Sequence, residues 1–184
     1  MLLNEIIYKI TSAINKPLPA DKAHLKLSPL NIVYDIPEHA KNASVTLLFY
    51  PKDNNTYLVF TKRNKYNGIH SNQICFPGGK YEPYDKSLLD TASRELFEEI
   101  GLSNQTPSFI GHISKIYIPV SNHLVTPFIA YLNDIPNIKT NPEEVNSVFY
   151  IPVSTLLNLS TTYAIINSHN KIIKAPSYIF ENYI

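Results

Sequence analysis

Gly78-Gly79-Lys80-Tyr81-Glu82-Pro83-Tyr84-Asp85-Lys86-Ser87-Leu88-Leu89-Asp90-Thr91-Ala92-Ser93-Arg94-Glu95-Leu96-Phe97-Glu98-Glu99-Ile100-Gly101-Leu102 is the stretch on which the reading of this chain turns. A glycine pair opens it and helix formers follow. Near its end stand Arg94, Glu95, Glu98 and Glu99, closed by Gly101. Residues at i, i+3 and i+4 share one helical face. With Glu95 at zero and about 100° per residue, Glu98 falls near roughly −60° and Glu99 near +40°. Leu89, Ala92, Leu96 and Ile100 form a neighbouring apolar stripe. Such a helix packs on a sheet and holds its acids at the rim of a cleft. Three like charges on one face repel by a few tenths of a kcal/mol per pair, and a divalent cation turns that repulsion into a binding site. Asp85 or Ser87 is a candidate cap for the start, with Ser87-x-x-Asp90 resembling a capping box, and Gly101 suits the end.

Glu-x-x-Glu-Glu alone also describes an ordinary solvated face, so the context decides. The stretch resembles the box of the Nudix hydrolase superfamily, G-x5-E-x7-R-E-U-x-E-E-x-G-U, where U is bulky and apolar. Gly79, Arg94, Glu95, Leu96, Glu98, Glu99, Gly101 and Leu102 match. Two departures stand out. Asp85 replaces the first glutamate, and fourteen residues rather than thirteen separate Gly79 from Arg94. The insertion lies upstream of the three glutamates, so it is expected to alter the loop and leave the acids in place.

A second signature lies just upstream. Thr61, Arg63, His70, Phe76, Pro77, Gly78 and Gly79 fit the pattern L-L-T-x-R-S-x-x-L-R-x-H-x-G-x-x-x-F-P-G-G. That pattern is similar to the coenzyme A pyrophosphatase branch of the superfamily. Asn64, Gly68 and Asn72 stand where it has serine, arginine and glycine. Gly111 to Leu132, with Pro119-Val120-Ser121-Asn122 and Pro127-Phe128, is also similar to this branch.

The chain has 184 residues, 44% of them hydrophobic, and a formal net charge of +1. Length and composition suit one domain with a sizeable core. The charge balance gives no reason to expect nucleic acid or an anionic membrane as partner. No apolar run approaches the roughly 18 residues of a membrane span. Met1-Leu2-Leu3-Asn4-Glu5 lacks the basic start of a signal peptide, so a cytoplasmic setting is expected. Cys75, the single cysteine, reads as a small buried hydrophobe.

Periodicity predicts a helix over residues 2–15, an irregular wrap over 16–43, and strands over 44–50, 57–62 and 74–76. The acidic helix should run from Ser87 to Ile100. Further strands are predicted over 109–117, 125–132, 145–151, 161–166 and 172–180, with a helix over 153–159. This is an α/β chain. The resemblance implies an α/β/α sandwich with a mixed central sheet and the box helix on one face. The two motifs that carry the resemblance span residues 58–102, and residues 1–184 are expected to form a single domain, with 1–43 as N-terminal helix and wrapping segment and 44–184 as the catalytic core. Relatives in this branch usually continue into a final helix, which is not visible here.

Carboxylates suit Mg²⁺ or Mn²⁺, and phosphoryl chemistry of this kind needs positioning and charge neutralisation, not a side-chain nucleophile. By resemblance, Glu95, Glu98 and Glu99 are metal ligands and catalytic residues, with Glu144 a further candidate ligand. Arg94 orients a neighbouring glutamate. Arg63, Lys62, His70, Gly78 and Gly79 are the substrate-binding candidates. His123 is expected in a loop near the cleft, without a role. The reaction implied is cleavage of a diphosphate in coenzyme A or acyl-coenzyme A, giving 3′,5′-ADP and 4′-phosphopantetheine. The departures at Gly68 and Asn72 keep open ADP-ribose, NADH or another nucleotide derivative. A ligand-binding domain without turnover is the remaining alternative. A homodimer through the N-terminal helix competes with packing of that helix on its own sheet.

Overall fold

The computed structural model describes residues 1–28, 32–168 and 171–181; Pro29 of the wrapping segment lies outside them. The chain opens with α1 (Leu3–Ile14), a short α2 (Asp21–His24) and a 3-10 turn, Leu25–Leu27. The strands β1 (Lys41–Lys52), β2 (Asn55–Arg63), β3 (Ile74–Cys75) and β4 (Gly78–Lys80) follow, then α3 (Leu88–Ile100). Next come β5 (Ser108–His112), β6 (Ile116–Ile118), β7 (His123–Tyr131), β8 (Val145–Pro152) and α4 (Val153–Asn158). A separate hairpin, β9 (Thr162–Ser168) with β10 (Lys171–Ser177), completes the described chain.

The sheet runs β3-β2-β1-β7-β5, with β4 on β1, β6 on β7 and β8 on β2. β1 and β7 are parallel and the other pairs antiparallel, so the sheet is mixed as expected. Successive strand residues face opposite sides, and the core divides accordingly. Leu48, Val59 and Ala130 meet Leu96 and Ile100 of α3. Phe49, Leu58 and Ile129 meet Leu3 and Ile6 of α1 and, at the margin, Val153 and Leu156 of α4. The layers are therefore α/β/α. The apolar stripe of α1 lies on its own sheet, which is one of the two uses its sequence allowed.

Several expectations are corrected. The stretch 109–117 is two strands. Pro127 of β7 has no N–H to donate, Gly111 takes φ +144 at an irregularity of the ladder, and the edge strand restarts at Ile116. Residues 41–43 belong to β1, and 21–27 are helical turns within a segment expected to be irregular. Leu89 is 39% exposed, and Thr91 takes its expected place in the buried face of α3. Gly78 and Gly79 open the short strand β4, Gly78 pairing with Val45 and Gly79 with Ser44.

Candidate active site

Local sequence sets α3. Ser87 is its N-cap, its Oγ accepting from the Asp90 amide at 3.2 Å, and Gly101 ends it in the left-handed region at φ 51. Asp85 is thereby free of capping, and its role is different. It is buried, and its carboxylate takes Arg94 in a two-pronged grip: Nε donates to Oδ1 and Nη2 to Oδ2, both at 2.9 Å. The Thr91 hydroxyl (2.9 Å) and the Glu82 amide (3.0 Å) also donate to Oδ2. The Arg94 guanidinium, followed by these donors, holds the Asp85 carboxyl far below the usual carboxylate range. Both departures from the box thus leave the arginine fully anchored.

Arg94 spends its remaining donors on the acids. Nη1 donates to Glu95 Oε1 and to Glu98 Oε2, each at 2.8 Å, and Nη2 to the Lys80 carbonyl at 3.0 Å. Charge-assisted contacts of this kind fix geometry as well as adding energy. Asp85→Asn removes the charge that orients Arg94 and so loosens two glutamates at once. Loss of a supporting partner of this kind typically costs about 10–100-fold in metal affinity or activity. Titration of activity against Mn²⁺ concentration is the check: a higher half-saturation at unchanged folding is expected.

Glu99 points the other way from Glu98. Its side chain is 2% exposed, and it accepts from the Gly78 amide at 3.2 Å and from Arg63 Nη1 at 3.5 Å. Burial pushes its carboxyl up to about 7, with Arg63 and the Gly78 amide opposing. Burial also raises Glu95. Carboxylate oxygens of Glu95, Glu99 and Glu144 lie within 4.8 Å of one another. Glu98 stands outside this cluster, 49% exposed and held by Arg94.

Glu144 reaches the cluster from a distant loop. That loop hangs on the C-terminal end of α3: the Lys139 amide donates to the Ile100 carbonyl and the Asn141 amide to the Glu99 carbonyl, both at 3.0 Å. Asn64 secures it from the other side. Its amide donates to the Glu144 carbonyl (3.2 Å) and its Nδ2 to the Pro142 carbonyl (2.9 Å). Asn64, Asp85 and Asn141 are the positioning residues that sequence reasoning missed. The departures at Asn64 and Asp85 from the two motifs were the visible signals among them.

The glycines sit between acids and cleft. A Cβ on Gly79 would lie inside van der Waals contact of the Glu95 carboxylate, and one on Gly78 would strike the Ser44 carbonyl. A cleft of about 580 Å³ opens beside them, lined by Arg63, His70, Gly78, Gly79, Lys80 and His123 among others. Arg63 arrives there at a register shift between β2 and β8, a device that re-aims a side chain. Its buried Nε has no hydrogen-bond partner among the described residues. His70 takes φ 68 and shares a hydrogen bond with Gln73 at 2.8 Å. Lys62 is not among the lining residues. His123 lines the cleft it was expected to lie near, as the first residue of β7 and not in a loop.

An oxygen-only donor set with two arginines behind it fits a hard divalent cation. With that geometry, the family of the chain is not in doubt: residues 40–171 match the model of the NUDIX domain, and the chain belongs to the Nudix family. It is 31% identical to the mouse peroxisomal coenzyme A diphosphatase NUDT7 over 142 residues, 77% of this chain and 59% of that protein. It is 33% identical to the uncharacterized Nudix hydrolase NudL of Photorhabdus laumondii over 67% of this chain and 65% of that one. Nudix hydrolase 3 of Caenorhabditis elegans is 32% identical over 62% of this chain and 48% of its own length. The chain thus spans about half to two thirds of these relatives. Among solved structures, the NUDIX domain of Shewanella oneidensis NrtR, complexed with ADP ribose, superposes with a TM-score of 0.51 at 16% identity, covering 67% of this chain and 81% of that one. A Caenorhabditis elegans Ap4A hydrolase gives 0.52 at 13%, covering 62% and 83%. At such identities the likeness speaks for the fold alone. No helix among the described residues is long and apolar enough to cross a membrane.

Proposed function

We propose that the chain hydrolyses a diphosphate linkage in a nucleoside diphosphate derivative, with coenzyme A or an acyl-coenzyme A as substrate. The observation that carries this is the convergence of Glu95, Glu99 and Glu144 on one point beside a cleft walled by Arg63, Gly78 and Gly79. These three glutamates would hold Mg²⁺ or Mn²⁺. Glu98 is proposed to join them, because its carboxylate is exposed and tied only to Arg94. A bound divalent ion supplies charge neutralisation at the diphosphate and a more acidic water.

The residues of the chain do the rest. Arg94 sets the orientation of Glu95, the proposed ligand that also influences the attacking water. Arg63 restrains Glu99 and presents a cation to the diphosphate. The identity to the coenzyme A diphosphatase NUDT7 supports the substrate class. The departures at Gly68 and Asn72 favour a second reading, ADP-ribose or NADH.

The deciding experiment incubates purified protein with Mg²⁺ or Mn²⁺ and coenzyme A and resolves the products by chromatography. Appearance of 3′,5′-ADP with the wild type and not with Glu95→Gln is the expected result. Selective turnover of ADP-ribose would move the assignment to the second reading. Turnover of nothing in a nucleotide panel, with ligand binding retained, would make the chain a binding domain. Glu98→Gln is expected to lose turnover at an unchanged melting temperature, because the group removed is half-exposed. A lowered melting temperature in the presence of chelator would contradict that placement.

A further inference from the structure

The cleft has a part that the diphosphate chemistry does not use. Ala43, Val45, Val125 and Ile118 line it from the sheet. Ala43 stands opposite Val125 and Ile118 opposite His123, and alternate strand residues face the same side, so the four share one face. On the other face the Ser44 and Thr46 hydroxyls donate to the Leu88 and Ala92 carbonyls of α3. The floor of the cleft is thus an aliphatic patch on the side of the sheet away from the acidic helix.

The loop of residues 64–73, between β2 and β3, brings Tyr66 to the same cleft. It is tied across its base, the Arg63 amide donating to the Gln73 carbonyl (3.0 Å) and the Asn72 amide to the Asn64 carbonyl (3.2 Å). Within it Tyr66 is held at both ends: its amide donates to Ser71 Oγ at 2.9 Å, and its hydroxyl to the Ile69 carbonyl. One edge of the ring rests against Gly68, where an added Cβ would come within 2.7 Å of Tyr66 Cε2. Gly68 is not among the glycines with positive φ, so glycine is needed there for space and not for backbone freedom. At the position where the upstream pattern has arginine, this chain has the bed of an aromatic ring. Phe76, which also lines the cleft, is taken up by stacking on Phe60 at 4.8 Å. Tyr66 is 45% exposed and stacks on no ring among the described residues. A ring already immobilised, half-exposed and without a stacking partner is a platform for a planar ligand, and it loses little freedom on binding.

We propose that Tyr66 selects the base end of the substrate: an adenine ring stacks on it against the aliphatic floor of the sheet, and Gly68 is required as the bed of the tyrosine ring. Arg63 and Lys80, which line the same cleft, are left to the phosphates. The proposal rests on the reading of the substrate as a nucleoside diphosphate derivative. It holds whatever lies beyond the diphosphate, because coenzyme A, ADP-ribose and NADH share that base.

Stacking of a base on an aromatic side chain corresponds to roughly 5- to 150-fold in affinity. Calorimetry under chelator with AMP and ribose 5-phosphate, neither of which holds a diphosphate, reads this apart from turnover. Wild type is expected to bind AMP at least about fivefold more tightly than ribose 5-phosphate. Tyr66→Ala and Gly68→Ala should lose most of that preference, and Tyr66→Phe, which keeps the ring, should retain it. Both positions are exposed in the loop, so Tm should be unchanged. A wild type that binds AMP no better than ribose 5-phosphate, or not at all, overturns the assignment, as does a preference that Tyr66→Ala retains. With the substrate found in the nucleotide panel, Tyr66→Ala should raise KM at least about fivefold at near-constant kcat, the sign of an interaction made equally in ground and transition states. A fall in kcat at unchanged KM would overturn the assignment, because the ring would then serve only to position the loop. Turnover of no nucleotide would instead defeat the substrate reading, and the AMP comparison then decides the base seat.

Discussion

Glu99→Gln is expected to abolish turnover while making the protein more stable at pH 8 in the presence of chelator. The carboxyl is buried, and its folded value near 7 lies above the 4.5 of an unburied glutamate. A raised acid contributes stability that is present below pH 4.5 and is lost as pH rises through 7, because the folded state disfavours the ion. The gap corresponds to about 3 kcal/mol, most of which glutamine avoids. At about 2–4 °C per kcal/mol for a chain of this size, a rise of several degrees in Tm is expected at pH 8, fading towards pH 5.

Cations reverse the order. Ions that bind only the folded state stabilise by mass action, so Mn²⁺ should raise the Tm of the wild type and leave the variant nearly unmoved. Loss of turnover should exceed the roughly 10–100-fold typical of supporting partners, since a proposed ligand itself is removed. A variant that is less stable than wild type at pH 8 under chelator would show that Glu99 is not held against its ionisation.

The adjacent glycines should separate function from folding. Gly78 takes φ +154, and a methyl there meets the Ser44 carbonyl and the Val45 backbone, none of which can yield cheaply. Strain and overpacking each cost about 1–3 kcal/mol. Gly78→Ala is therefore expected to lower Tm by roughly 10 °C. At Gly79 the obstacle is the far end of the Glu95 side chain, which can swing away. Gly79→Ala should keep its Tm and lose turnover, because what swings is a proposed ligand. Equal loss of stability in both variants, measured by thermal denaturation, would refute the contrast.

Much of this was readable from α3 itself. Its apolar spacing, its cap at Ser87 and its stop at Gly101 are local properties, as is the adjacency of Glu95, Glu98 and Glu99. Where reading stopped, distant segments intervene. Whether Asp85 capped the helix or anchored Arg94 depended on the path of the loop around Lys80–Ser87. The short strand at Gly78–Lys80 has too few residues for a pattern and exists because β1 offers a partner. The break between β5 and β6 was set by a proline on the neighbouring strand.

The sequence by itself determined the family, the mixed α/β architecture and the acidic helix, since each follows from spacing within a short stretch. Only the tertiary structure decided which acids meet. Glu144 joins Glu95 and Glu99 through a loop hung on the end of α3, while Glu98, one residue from Glu99, turns out to Arg94. The physical reason is that a helix fixes direction, whereas convergence depends on hydrogen bonds between residues far apart in the chain. No periodicity encodes those bonds.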